Sequence, residues 1–137
     1  MAPAALPFPS RKWYRTEHAQ EVEKVLQDLK ASSKFSSIRL SEKASKIPFN
    51  VLNKLCPIMN IHCPFFDDFR MMGDYMGLDK IIIESAGQGT NPTKNLLQQF
   101  DSRFGGTIGH VMAILDIINR NDAFSVLESY CQKRGSS

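Results

Sequence analysis

Cysteine and histidine come closest together in CPIMNIHC, residues 56–63, which holds Cys56, His62 and Cys63. Thiolate and imidazole are zinc ligands, and Cys131 or His110 would supply a fourth. The spacing matches no standard finger, however, and helical periodicity gives Cys56 a core position. Buried or idle thiols are therefore expected. An odd count of three cysteines suits a reduced, cytosolic setting.

A second candidate is SAGQGTNPTKN, residues 85–95. Glycines beside a Thr-Lys pair suggest a phosphate cradle, but the spacing is not that of a P-loop and no strand precedes it. A glycine-rich helix connector is expected instead. His18, His62 and His110 fall on different elements and show no nucleophile–base arrangement. His110, near a helix start, is expected to face solvent or a neighbouring helix. Paired-carboxylate catalysis would draw on Asp67, Asp68, Asp74, Asp79 and Glu84. It needs a cleft that raises the pKa of one carboxyl, and helix capping accounts for Asp67, Asp68 and Asp79 without one. The expectation is a non-enzymatic protein with no cofactor and no metal.

The chain has 137 residues and a net charge of +3, enough for one domain with a tail. Residues 1–48 carry nine Lys/Arg against five Asp/Glu, and residues 49–137 eight against nine. A nucleic-acid binder concentrates its basic stripe on the folded part, so nucleic acid is not the expected partner. A small helical nucleic-acid module using the basic N-terminal third is the alternative. No apolar run reaches the roughly 18 residues of a membrane span, and the three prolines of MAPAALPFP make a poor signal peptide.

These residues must be positioned by helices. Residues 1–15, Pro-rich and then basic, are expected to be disordered. Ala19, Val22, Leu26 and Leu29 recur at helical spacing, predicting an amphipathic helix over 16–31 with Thr16 as its cap. The Ser/Lys-rich stretch 32–46 reads as a linker with a short extended piece at 38–40. Six helices should follow within 47–134. The first buries Phe49, Leu52, Cys56 and Met59 and is kinked or cut short by Pro57. The second stops at Gly77, and Asp79 caps the third. Asn91, Pro92, Leu96, Leu97 and Phe100 describe the fourth, closed by Gly105–Gly106. The fifth, from Ile108 to Ile118, is apolar nearly all round and hence central. A turn, NRND, leads to the sixth. The fold class is all-α.

The order of these pieces resembles the death domain, an antiparallel six-helix Greek-key bundle of signalling proteins. The resemblance runs through DDFR (67–70), YMGLD (75–79), NPTKNLLQQF (91–100), TIGHVMAILDIINRNDA (107–123) and VLES (126–129). IPFNVLNKLC (47–56) is similar to netrin-receptor death domains. NPT…LL and NRNDA are similar to the myeloid differentiation primary-response adaptor and the interleukin-receptor-associated kinases. Phe69 and Phe100 stand where the family often has Trp. The resemblance implies a cytoplasmic, non-enzymatic adaptor or receptor-tail module in apoptotic or inflammatory (NF-kappa-B type) signalling. Its partners would be other death domains and copies of itself. Asp68 with Arg70, and Arg120 with Asp122, are the positions carried over. Acid on the second and third helices (Asp67, Asp68, Asp74, Asp79, Glu84) set against Lys94, Arg103 and Arg120 would let copies meet head to tail. Arg120 and Asp122 could instead simply brace their turn. The narrow stripe of the N-terminal helix is expected to pack back on the bundle, with a partner groove or second copy as the other option.

Overall fold

The computed structural model describes residues 11–61 and 68–132. Among them are nine α-helices and one 3-10 turn: α1 (Arg11–Tyr14), α2 (Ala19–Ala31), α3 (Ser37–Leu40), the 3-10 turn (Ala44–Lys46), α4 (Phe49–Met59), α5 (Phe69–Tyr75), α6 (Lys80–Gly87), α7 (Pro92–Phe104), α8 (Ile108–Ile117) and α9 (Asn121–Cys131). The described residues contain no strand, only isolated bridges joining Phe35 to Gln132 and Lys43 to Thr107. The protein is an all-α bundle, and none of these helices is long and apolar enough to cross a membrane.

The bundle is built around α8, where every residue from Ile108 to Leu115 is buried. A helix apolar round its circumference has no solvent face to spare, so neighbours must enclose it. These are α2, α3, α5 and α9. Gly109 permits a close approach to α2 and α3. A Cβ there would lie 2.7 Å from Leu26 Cδ1 and 2.9 Å from the Leu40 carbonyl oxygen. The stripe Ala19, Val22 and Leu26 of α2 is buried, with Leu29 partly so. The N-terminal helix thus packs on the bundle.

Helix boundaries follow local chemistry. The Asn91 side chain accepts from the Lys94 N–H, Pro92 takes a first-turn position, and Gly105 closes α7 in the left-handed region at φ 69°. The Thr107 side chain accepts from the His110 N–H and starts α8. Asn119, at φ 62°, turns the chain into α9; asparagine tolerates that region better than most side chains.

Several expectations change. The segment 11–15 is not a tail: α1 forms there, and Trp13 is fully buried. Its ring lies 5.3 Å from Phe100 and 6.3 Å from Phe104, and its Nε1 donates to Glu23 at 3.2 Å. An indole that finds both an apolar pocket and an acceptor stays inside. Residues 1–10 lie outside the described region. The stretch 32–46 is no bare linker either. The chain expected to be extended at 38–40 is helical in α3, and Leu40 and Ala44 are buried.

Thr16 does not cap α2. The helix starts at Ala19 with His18 preceding it, and the Thr16 hydroxyl donates to the Trp13 carbonyl at 2.7 Å. Phe49, expected on the buried face, is 74% exposed; in the first turn of α4 it is Val51 and Leu52 that are buried. Helix α4 contains Pro57 and runs two residues beyond it, to Met59. Helix α6 extends to Gly87, through residues expected to be loop.

Candidate interaction face

Helices α5 and α6 bring part of the acidic cluster together. Asp68 precedes α5 and accepts from the Arg70 N–H at 2.9 Å, while Arg70 Nη2 reaches its Oδ2 at 2.6 Å. That carboxylate is completely buried, so it anchors Arg70 and is not offered to a partner. On α5, Arg70, Met71 and Asp74 lie one, and then three, residues apart. On α6, Lys80, Ile83 and Glu84 lie three, and then one, residues apart; in each trio the outer two are four apart, so each shares one helix side. The six residues line a groove of about 660 Å³. Phe69, Gly87 and Gln88 continue it along α6. Gly73 lets the helices meet, since a Cβ there would fall 2.8 Å from Ile83 Cγ1.

The groove has an apolar floor, Met71 and Ile83, and a rim of both signs. Asp74 keeps 58% of its side chain exposed although His18 Nε2 lies 3.1 Å from its Oδ2. The His18 ring stacks on Tyr75 at 3.9 Å. Burial, with the charges of Glu21, Asp74 and Glu17, pushes the Tyr75 hydroxyl pKa up. Asp79, at the head of α6, and Glu84 are exposed.

The other candidate residues lie apart from this groove. Lys94 stands 5.6 Å over the Phe49 ring, at the start of α7. Arg103, near the end of α7, donates to Gln99 at 2.8 Å. Arg120, whose side chain is 11% exposed, holds Asp122 at 3.0 Å and donates to the Ile58 carbonyl at 3.3 Å. The hydrogen bond from Arg120 chiefly holds the Asp122 carboxyl below the usual range. Arg120 thus links the α8–α9 turn to α4. Asp67, His62 and Cys63 lie outside the described residues.

Reactive groups elsewhere are occupied. Cys56 and Cys131 are buried thiols, and burial raises both, Cys131 to about 12. No group of three or more His, Cys, Asp or Glu able to hold a metal ion occurs among the described residues. One arrangement was not visible in the sequence. His110 Nε2 lies 2.6 Å from Glu23 Oε2, and its Nδ1 lies 2.6 Å from the Thr107 hydroxyl. A hydroxyl, an imidazole and a carboxylate in series resemble a nucleophile and its base. Thr107 and His110 are only 2% exposed, and the Thr107 oxygen already caps α8. This chain of bonds therefore holds α2 against α8 and presents no nucleophile to a substrate.

Sequence reasoning missed Lys80 and Met71 on the groove and His18 at its edge. The repeated charge spacing on α5 and α6 was a usable signal for Lys80. The His18–Asp74 contact spans 56 positions and had none. No protein-family model matches this chain, and no solved structure is significantly similar to it.

Proposed function

We propose that the chain is a death-domain-type adaptor or receptor-tail module. It assembles with other death domains, and with copies of itself, in apoptotic or inflammatory signalling. The reading rests on the order of motifs along α4 to α9 and on one physical observation. That observation is the α5–α6 groove, where an apolar floor is rimmed by Arg70, Asp74, Lys80 and Glu84. A groove of this make-up recognises a partner surface with a protruding apolar side chain flanked by charge. Phe49, exposed and attended by Lys94, is such a feature on α4 and α7.

A contact between two different faces is heterologous, so it closes into a ring or extends as a helix. Complementary charge then governs encounter rate and partner choice more than affinity. The Greek-key arrangement of α4 to α9 belongs to the same proposal.

The test is a charge swap in pull-downs between differently tagged copies. Glu84→Lys should abolish capture, Lys94→Glu should do the same, and Glu84→Lys on one copy with Lys94→Glu on the other should restore it. Capture insensitive to both single reversals would refute the proposed contact.

A further inference from the structure

His18 stands just ahead of α2 and reaches across to α5, at the edge of the groove. Its ring stacks on Tyr75, with centroids 3.9 Å apart and planes 18° from parallel. Nε2 donates to Asp74 Oδ2 at 3.1 Å, and Nδ1 faces Glu21 Oε1 at 3.9 Å. The segment before it is held in place. Thr16 packs so close to Gly77, beyond α5, that a Cβ there would fall 2.5 Å from its Cγ2. The charges around the stacked rings are carboxylates: Glu21, Asp74 and Glu17 all act on the Tyr75 hydroxyl. Glu17 and Glu21 come from the arm and Asp74 from α5. Arg70, one turn earlier on α5, grips Asp68.

Asp74 also lines the groove. One carboxylate therefore serves the groove rim and binds His18, and imidazole is the side chain that changes charge between about pH 5 and 8. We infer that His18 is a pH-dependent gate on the groove, setting how much negative charge Asp74 offers to a cationic partner group. This inference rests on the groove being a partner site. A neutral ring with its proton on Nε2 still donates to Asp74, so the contact persists in both states. Protonation of Nδ1 adds a full positive charge beside Asp74 and in front of Glu21. That charge offsets Asp74 as seen from the groove and repels an approaching ammonium, such as Lys94 of another copy. Rising pH removes it. Capture of a basic partner group should strengthen as pH rises through the imidazole range and weaken as it falls. His110 does not compete for this role, since it is 2% exposed and bonded through both ring nitrogens to Glu23 and Thr107.

Pull-down between two differently tagged copies of the full chain, at about pH 5.5 and about pH 8, tests it. Wild-type capture should be roughly two- to fivefold stronger at the higher value, the scale of one exposed charge pair, and the difference should shrink in salt. His18→Gln, neutral throughout, should bind with one strength at both values. His18→Arg, cationic throughout, should also be indifferent to pH but weaker than His18→Gln. Asp74→Asn should weaken capture and remove its pH dependence. Thermal unfolding of each variant at both values separates these effects from misfolding. Capture that Glu84→Lys abolishes but that is equal at both pH values would overturn this inference and leave the groove reading standing. Full pH dependence in His18→Gln would do the same. Absence of capture at either pH, or capture insensitive to Glu84→Lys, would overturn the groove reading and this inference with it.

Discussion

His110 Nε2 lies 2.6 Å from Glu23 Oε2, joining α2 to α8, the helix at the centre of the bundle. The two residues are 87 positions apart. Trp13 Nε1 donates to the same carboxylate oxygen, so one side chain holds both α1 and α8. Removing it leaves two donors without their acceptor, which costs about 1–3 kcal/mol. Glu23→Ala should lower stability by that amount in urea unfolding, and the loss of Trp13 packing should appear in its fluorescence.

The same carboxylate predicts a pH dependence. Burial pushes the Glu23 pKa up, but the His110 hydrogen bond and the Trp13 donor outweigh it, and the net shift is downward. A carboxyl whose folded pKa is depressed stabilises the fold above its unfolded value, about 4.3 for glutamate. That contribution disappears as pH falls through the folded value. The stability difference between wild type and Glu23→Gln should therefore be full at neutral pH and shrink progressively below pH about 4.3. A difference that grows on acidification would mean that the pair is organised otherwise.

Asp68 and Glu84 should part company under mutation. Asp68 is fully buried, starts α5 and grips Arg70. Asp68→Ala should cost about 1–3 kcal/mol, and its charge reversal should cost more. Glu84→Lys, on an exposed rim, should stay within about 0.5 kcal/mol of wild type. Thermal unfolding separates the two, and Asp68 is consequently a poor probe of partner binding.

Gly109 reports on the packing of the N-terminal arm. A methyl there meets Leu26 on one side and the Leu40 carbonyl on the other. Backbone cannot step aside as a side chain can, so Gly109→Ala should destabilise by about 1–3 kcal/mol. Leu26→Ala should cost about 2–5 kcal/mol by leaving a cavity. Neutral outcomes at both positions would place α2 away from α8.

Thiol chemistry gives an independent check on the core. Desolvation drives Cys131 to about 12, and the nucleophilic species is the thiolate. In the native protein Cys131 should resist alkylation at pH 8, with Cys56 also slow, and both should react on unfolding. Rapid labelling of Cys131 in the native state would show the α9 core to be open.

Legibility in the sequence followed the range of each interaction. Caps, glycine stops and the all-round apolarity of α8 are local, and Asn91, Gly105, Thr107 and Ile108–Leu115 behave as their neighbours in sequence dictate. The Pro-rich, basic and Ser-rich composition of 1–46 hid Trp13, Leu40 and Ala44. Burial there is decided by contacts with α7 and α8 that no window of neighbouring residues contains. For the candidate site, charge types on α5 and α6 were readable. Burial of Asp68 and the hold of Arg120 on Asp122 were not, because exposure depends on which helix lies alongside.

Sedimentation velocity over a range of concentrations, on the wild type, Asp74→Lys and Glu84→Lys, alone and with candidate death-domain partners, tests the central claim most directly. The account predicts that the wild type forms larger species, by itself or in a mixture, and that both variants stay monomeric while unfolding at the wild-type temperature. Wild-type protein that stays monomeric in every mixture would contradict it, as would variants that assemble as the wild type does.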